Sequence, residues 1–407
     1  MSKLEELIQR YCPDGVEWST IGDVCQKVFA GGTPTSSNSS YYGGDIPWLR
    51  SGEVNFNEIT STEKTITEEG YNSSSARWVE SRSVLVAMTG ATVARSAITL
   101  IELTANQSVC ALTPKRDILN YRYLFYWISK SYIQMKGMAQ GALTSLNLNL
   151  IKSLEIPIPP LPVQEEIVRV LDTFTELQAE LQAELQKRLQ QYNYYRDNLL
   201  SFDGRTDVEW KKLGEIATEW YRGAGIKRDE VSEEGYPCIR YGEIHTTYNI
   251  WFDECVSHTD ESQQPARKYA DYGDILFAIT SEDIPFVGNS VAYLGKERIL
   301  VGGDIVVMKH TQDPKYMSYV LSTSDAVKQK GKGKVKSKVV HTNVPSLQEI
   351  VVPLPSLEEQ KRIASTLDKF YSLLNDLTSG LPAEIEKRKQ QYEYYRDKLL
   401  TFKRITK

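Results

Sequence analysis

At 407 residues the chain is two to three times a typical domain of roughly 150 residues, and its 41% hydrophobic and 25% charged composition is that of ordinary globular protein with sizeable cores. No apolar run approaches the roughly 18 residues that span a bilayer, and Met1-Ser2-Lys3-Leu4-Glu5-Glu6 lacks the apolar core of a signal peptide, so the expected location is the cytoplasm. The formal charge of −5 argues at first sight against a nucleic-acid partner, whose footprint is usually basic, yet a total does not say where the charges sit.

Residues 1–160 read as a compact mixed α/β domain, with short β-rich runs between turn-rich segments. Gly31-Gly32-Thr33-Pro34 opens a polar loop in which Thr33, Thr35, Ser36 and Asn38 suit phosphate or base contacts; ordinary turn chemistry accounts for them equally well. Pro47-Trp48-Leu49-Arg50-Ser51-Gly52-Glu53 then ends a predicted strand on an arginine. Such an arginine can fork onto a guanine edge or a phosphate, with Ser51 beside it, while Glu53 either accepts from cytosine or orients Arg50. A structural salt bridge explains the same pattern. The strand Ser83-Val84-Leu85-Val86-Ala87-Met88 leads to two further candidate contacts, Thr89 and Arg95. A helix with an aromatic face is predicted around Tyr121–Trp127, and the stretch 136–147 that follows offers Ser145 and Asn147.

Residues 161–202 are helical by periodicity. Apolar side chains at Ile167, Leu171, Phe174, Leu177, Leu181, Leu185, Leu189, Tyr192, Tyr195, Leu199 and Phe202 make one stripe. Pro162 sits near its start, where a proline misses no helical N–H. From Gln164 to Phe202 is 39 residues, a rod of about 58 Å.

Residues 203–355 form a second mixed α/β block. Arg222, Lys227 and Arg228 stand where the first block has its polar loop, and Pro237-Cys238-Ile239-Arg240-Tyr241-Gly242-Glu243 matches the Arg50 segment. Arg240, Tyr241 and Glu243 therefore join the candidate contacts. Asp274-Ile275-Leu276-Phe277-Ala278-Ile279 is a predicted strand, and Lys315-Tyr316-Met317-Ser318-Tyr319 a predicted helix. The run from Lys328 to Lys338 places six lysines in 11 residues without a carboxylate. It is either a solvated loop or a phosphate-tracking one, with Lys330, Lys332, Lys334, Lys336 and Lys338 on the backbone and Asn343 beyond it. Residues 356–407 are helical again, with a stripe that includes Ile363, Leu367, Phe370, Leu374, Leu377 and Leu381.

The chain is thus written twice. Residues 183–202 (AELQKRLQQYNYYRDNLLSF) and 383–402 (AEIEKRKQQYEYYRDKLLTF) agree at 14 of 20 positions at an offset of 200, and 156–174 matches 352–370 at an offset of 196. A long apolar stripe on a lone helix has nothing to bury against, so the two helical copies are expected to pack on each other. An antiparallel pair carries the two variable blocks to opposite ends of a rod about an approximate two-fold axis; a parallel pair places them differently. Off the stripe, Tyr194, Arg196 and Asp197, repeated as Tyr394, Arg396 and Asp397, suit a docking surface for a partner protein, whereas Tyr192 and Tyr195 fall on the stripe and read as core.

Catalytic signatures are missing from the sequence. There is no phosphate-binding G-x-x-x-x-G-K-[ST] loop, no dinucleotide fingerprint and no adenine-methylation motif. Four scattered histidines and five cysteines without C-x-x-C give no metal-ligand spacing, so neither a metal nor a disulfide framework is expected.

The paired Ile/Val-Pro-x-Pro…Gln segments at 156–164 and 352–360, the paired QQYxYYRDxLL ends, and Gly31-Gly32-Thr33-Pro34 followed by Gly44-Asp45-Ile46-Pro47-Trp48 resemble the specificity subunit of Type I restriction–modification enzymes over essentially the whole chain. The tandem tetrapeptide in 176–185 looks like the short helical repeat of the IC-like branch, with glutamine where threonine is common there.

The resemblance implies a mixed α/β fold: target-recognition domains at 1–160 and 203–355, separated by two long helices (161–202 and 356–407) packed as an antiparallel coiled coil. It implies a non-catalytic subunit whose domains each read half of a split, asymmetric site in double-stranded DNA. The helices would set the spacer and recruit two methyltransferase subunits, and restriction/translocase subunits would complete the assembly in a bacterial or archaeal cytoplasm. No cofactor is implied in this chain; S-adenosylmethionine, ATP and magnesium are implied on its partners. The alternative from another class is a coiled-coil adaptor that binds two proteins and touches no nucleic acid.

Overall fold

The computed structural model describes residues 2–139, 145–264, 266–281, 286–331, 340–375 and 380–405. By contacts the chain divides into two compact units, Met1–Leu181 with Ile385–Lys407, and Gln182–Glu384. Each takes one globular block together with a segment of both helical regions.

In the first unit a five-stranded sheet runs in the order Cys25–Ala30, Val109–Pro114, Ser83–Ala87, Ser96–Thr99, Asn57–Ile59, antiparallel except for the last pair. Ser83–Ala87 is buried at every residue, and its two faces serve different cores. Val84 and Val86 pack with Tyr123, Leu124 and Trp127 of the helix Tyr121–Lys130, and Leu85 and Ala87 pack with Leu49, Val54 and Leu103. This is period-two alternation in a strand covered on both sides. Ser83 and Thr113, buried among apolar neighbours, satisfy each other at 2.9 Å.

The second unit repeats the order with Ala217–Arg222, Ile305–His310, Ile275–Ala278, Ser290–Tyr293, Trp251–Phe252. Ile275 and Phe277 face the helix Pro314–Leu321, and Leu276 and Ala278 face Ile239 and Val301.

The same polar clamp joins globular block to helix in both units. Gln164, fully buried, donates to the carbonyls of Ile118 and Pro159 at 2.8 and 2.7 Å and accepts from the Asn120 N–H at 2.8 Å. Gln360 donates to Pro355 O and Gln312 Oε1, both at 2.9 Å, and accepts from the Asp313 N–H at 3.0 Å. Asn120 and Asp313 are the N-caps of the aromatic helices, so each glutamine fixes a helix start. Below it, Asp172 accepts from Arg122 and Tyr126, and Asp368 from Lys315, Tyr319 and the Trp251 indole. Burial, and next the hydrogen bond to Asp368, push the Tyr319 hydroxyl pKa upward, which keeps it a donor.

The central helix is Leu161–Leu199, again 39 residues. Within the first unit it pairs antiparallel with the C-terminal helical segment. Phe174 stacks on Tyr395 at 5.4 Å, and Gln178, one turn on, lines the same groove as Lys389. Within the second unit Tyr192 packs on Tyr371 at 6.1 Å.

Three expectations about the stripes need correction. Phe202 is not helical: it has φ +51° after the helix end and is buried in the second core. Tyr195 is 59% exposed, not core. Among the described residues the second helical region gives two helices, Leu357–Asn375 and Gly380–Leu399, the second starting at a glycine with φ +73°. Pro382 is the reason, since a proline fits the first turn of a new helix but breaks the interior of an old one; Gln182 stands at that position in the first copy. Leu377 lies outside the described residues.

After the helices the units differ in connectivity. In the second, Phe202 and Gly204, both at positive φ, turn the chain toward the strand Glu209–Lys212, which pairs with Val351–Leu354. In the first, the equivalent strand Glu17–Thr20 pairs with Glu155–Ile158, and the join is by hydrogen bonds: Val16 N–H to Lys403 O at 2.9 Å and Ile405 N–H to Val16 O at 3.1 Å.

All five cysteines are free thiols. Burial pushes Cys25, Cys238 and Cys255 up to about 12, so these behave as packing groups, not nucleophiles. Among the described residues no helix is long and apolar enough to cross a membrane.

Candidate nucleic-acid interface

In the second unit the strand Tyr236–Ile239 delivers Arg240 to the edge of a cleft of about 890 Å³. Arg222, Arg228, Arg240, Tyr241 and Glu243 line it together, with Gly223, Gly225, Gly302 and Gly303 between them. Glycine is required at Gly223, where a Cβ would sit 2.2 Å from Gly302 O. The first unit makes the same approach at Gly31, whose Cβ would lie 2.0 Å from Ala105 O. Arg222 donates to the Gly303 carbonyl and to Asp304 (2.6 Å), and Lys227 and Arg228 are exposed.

Glu243, in the cleft wall, is buried and its oxygens are taken up by protein donors. It takes the Arg240 N–H at 3.1 Å, the Arg240 guanidinium at 3.4 Å and the Ser257 hydroxyl at 2.6 Å. Glu53 does the same in the first unit, accepting from the N–H groups of Arg50 and Glu63, both at 2.9 Å. Both glutamates are thus committed to their arginine and to neighbouring N–H or hydroxyl groups, which fits a structural salt bridge or an orienting group. Arg50 additionally pairs with Glu63, and among the described residues Arg240 has no second carboxylate partner.

The other first-unit candidates divide. Thr35 and Ser36 are exposed, whereas Thr33 donates to Gln107 and Asn38 caps the turn Ser39–Tyr41 through Ser40 N–H at 3.1 Å. Arg95 bonds Asn55 at 2.8 Å, and Thr92 donates to the Ser51 carbonyl at 2.7 Å, bringing the Arg50 and Arg95 segments together. Asn55 and Thr92 carried no sequence signal, because only the fold makes them neighbours. Thr89 and Ser145 are half-buried.

Several candidates are reassigned. Asn147 and Asn343 are N-caps, accepting from Leu150 N–H at 2.9 Å and Ser346 N–H at 3.0 Å. Lys330 is no surface cation. It ends the helix Ser324–Lys330 with its ammonium nitrogen buried, 2.8 Å from Leu321 O and 3.2 Å from Ser290 Oγ, and burial lowers its pKa to about 7. Lys332, Lys334, Lys336 and Lys338 lie outside the described residues.

The repeated tyrosine segment also splits. Tyr194 and Tyr394 are 64% and 61% exposed. Arg196 is buried, correcting its place on a free surface: it lies over Tyr192 and bonds Asp197 at 2.7 and 2.8 Å, while Asp197 accepts the Ser324 N–H at 3.2 Å. Arg396 is half-buried against Tyr392 and bonds Asp397 at 2.9 Å, and the Asp397 carbonyl accepts from Lys130 at 3.2 Å. These groups fasten helix ends to their own units. Among the described residues no cluster of three or more His, Cys, Asp or Glu could hold a metal.

Comparison with known proteins gives matches across both halves. The family model "Type I restriction modification DNA specificity domain" matches twice, at residues 13–191 and 206–387. The specificity subunit of the EcoR124I/EcoR124II type I restriction enzyme of Escherichia coli is 32% identical over 303 residues, 69% of this chain and 70% of that one. A Haemophilus influenzae protein described as a type I restriction enzyme specificity subunit is 30% identical over 403 residues, 95% and 96% of the two chains. A solved chain, reported in work on complex assembly and conformational transition of the type I R-M system, superposes with a TM-score of 0.61 at 17% identity. It covers 95% of this chain and 98% of its own, a likeness of fold.

Proposed function

Because this chain belongs to the family of type I restriction–modification DNA specificity subunits, which supply sequence specificity and not catalysis, we propose that each of its globular units reads one half of a split, asymmetric DNA site. The observation that carries this reading is the doubling: two family matches, one strand order used twice, and an arginine delivered by equivalent strands to an exposed edge in each unit. Family membership sets aside the adaptor that touches no DNA.

In the proposed assignment Thr35, Ser36, Arg50 and Arg95 face DNA from the first unit, and Arg222, Lys227, Arg228, Arg240 and Tyr241 from the second. Lysines at 332, 334, 336 and 338 add phosphate contacts. Two methyltransferase subunits dock beside Tyr194 and Tyr394, and restriction/translocase subunits complete the assembly. S-adenosylmethionine, ATP and magnesium belong to those partners, and the complex works in a bacterial or archaeal cytoplasm. The net charge of −5 then implies that the chain grips DNA weakly until its partners add positive surface.

The helical regions act as the spacer ruler, and about 58 Å of helix corresponds to roughly 17 base pairs at about 3.4 Å each. Methylation mapping of genomic DNA from cells carrying the full system tests the proposal. The expected result is two short motifs at a fixed spacing; a single uninterrupted motif would overturn it. Deleting Gln178–Leu181 removes about 6 Å of helix and is expected to change the preferred spacer, and an unchanged spacer would sink the ruler.

A further inference from the structure

The cleft of the second unit contains one side chain held unlike its neighbours. Arg222, Lys227 and Arg228 are exposed cations, Arg222 and Lys227 paired with the surface carboxylates of Asp304 and Glu230, whereas the Arg240 side chain is 31% exposed and braced from below by a carboxylate only 9% exposed. Glu243 bonds the Arg240 backbone and one terminal nitrogen, and Ser257 fixes Glu243 in turn. The Arg240 Nε is buried and has no hydrogen-bond partner among the described residues. Gly302 covers the stem closely: a Cβ there would lie 3.7 Å from Arg240 Cγ and 3.1 Å from Ile239 O. Only the terminal edge of the guanidinium is left to meet a ligand.

A long flexible cation suits a phosphate, which accepts charge from many directions. A braced guanidinium whose terminal nitrogens keep N–H groups beyond the one given to Glu243 suits a rigid pair of acceptors in one plane. On double-stranded DNA that pair is O6 and N7 of guanine in the major groove. Bracing also removes the side-chain entropy that a free arginine loses on binding, so discrimination is not eroded by alternative poses.

We propose that Arg240 is the specificity-determining residue that reads one guanine in the half-site of the second unit, and that Glu243 is its positioning residue, acting on DNA only through Arg240. The assignment rests on the DNA-reading function proposed above and adds to it which side chain discriminates and what aims it. Arg50 and Glu53 form the corresponding pair for the other half-site, with Glu63 lying on the Arg50 guanidinium as a competitor that DNA must displace.

The test is methylation mapping with the full complex carrying Arg240→Lys or Glu243→Gln, with thermal unfolding of each purified variant complex alongside. Both substitutions are expected to relax one and the same G·C position of one half-site, with discrimination there falling roughly 10- to 100-fold. The other half-site, the spacer and the unfolding midpoint should stay unchanged. Arg50→Lys should relax a single position in the other half-site only. Uniformly weakened methylation with an intact motif would make Arg240 a phosphate anchor and overturn its reading role. Relaxation by Arg240→Lys but not by Glu243→Gln would overturn the positioning role. A wild-type complex that methylates no two-part motif would instead overturn the DNA-reading function itself, and this assignment with it.

Discussion

The two compact units use one skeleton and fit it with different edges. Strand order, the buried glutamine on its helix-capping N–H and the aspartate on a helical tyrosine recur, yet among the described residues the arginine that each strand delivers has a second carboxylate partner in one unit and an open cleft in the other. The buried clamp is under the stricter constraint. A glutamine with three hydrogen bonds inside a core has one workable arrangement, and replacing it leaves donors and acceptors unpaired. The edge loops carry no such demand, so they are free to differ, which is what a pair of readers with unlike targets needs.

The largest expected effect tests the shared part. Gln164→Ala orphans one N–H and two carbonyls, each worth about 1–3 kcal/mol when buried, so a loss near 3 kcal/mol is expected in the first unit. Gln360→Ala should cost a similar amount in the second. Hydrogen exchange resolved by peptide checks this: Gln164→Ala should deprotect the helix Tyr121–Lys130, and Gln360→Ala the helix Pro314–Leu321. Either variant leaving its own helix fully protected would break the equivalence of the two clamps.

A second experiment sharpens a difference. Lys330 has a pKa near 7 in the folded second unit against about 10.4 in an unfolded chain. Between those values the unfolded state holds a proton that the folded state lacks, so this lysine makes stability rise with pH, by at most about 1.4 kcal/mol per pH unit. Below about pH 7 both states are protonated and the contribution levels off. Urea midpoints of the second unit at pH 7 and pH 9 should therefore differ in the wild type, and Lys330→Met should flatten the difference. A slope that survives the substitution would place its origin elsewhere.

The smallest effect concerns the helices. Phe174 is stacked on Tyr395, while its counterpart Phe370 is 57% exposed. Phe174→Ala is expected to cost about 2 kcal/mol and Phe370→Ala no more than about 0.5 kcal/mol in chemical denaturation. Equal costs would mean that the exposed phenylalanine packs in solution.

Much of this architecture could be read without coordinates. The duplication, the helical stripes, the strands at 83–87 and 275–278 and the paired Arg-x-Gly-Glu segments all follow from local pattern, because period and repetition are properties of the sequence itself. The same reading misplaced Lys330, Arg196 and Tyr195. A lysine in a lysine-rich run looks solvated, and nothing local reveals that its helix ends against Leu321 and Ser290. Tyr195 falls on the stripe by number, but its position in the second unit leaves it uncovered. Glu243 could be read from sequence as a base acceptor, an orienter of Arg240 or half of a structural salt bridge, and only the fold shows that its oxygens accept from Arg240 and Ser257.

The family, the twofold plan and the helical character of the two repeated regions are therefore encoded in order and spacing along the chain, whereas where the helices end is not. Only the tertiary structure decided which polar groups are spent on the fold and which are left for a ligand. Burial and hydrogen-bond pairing depend on residues far apart in sequence: Arg222 with Asp304, Glu243 with Ser257, Gln360 with Asp313. Arg240 emerges from that accounting as a cation whose backbone and one terminal N–H are committed to Glu243 while the rest of its terminal edge is left for a ligand.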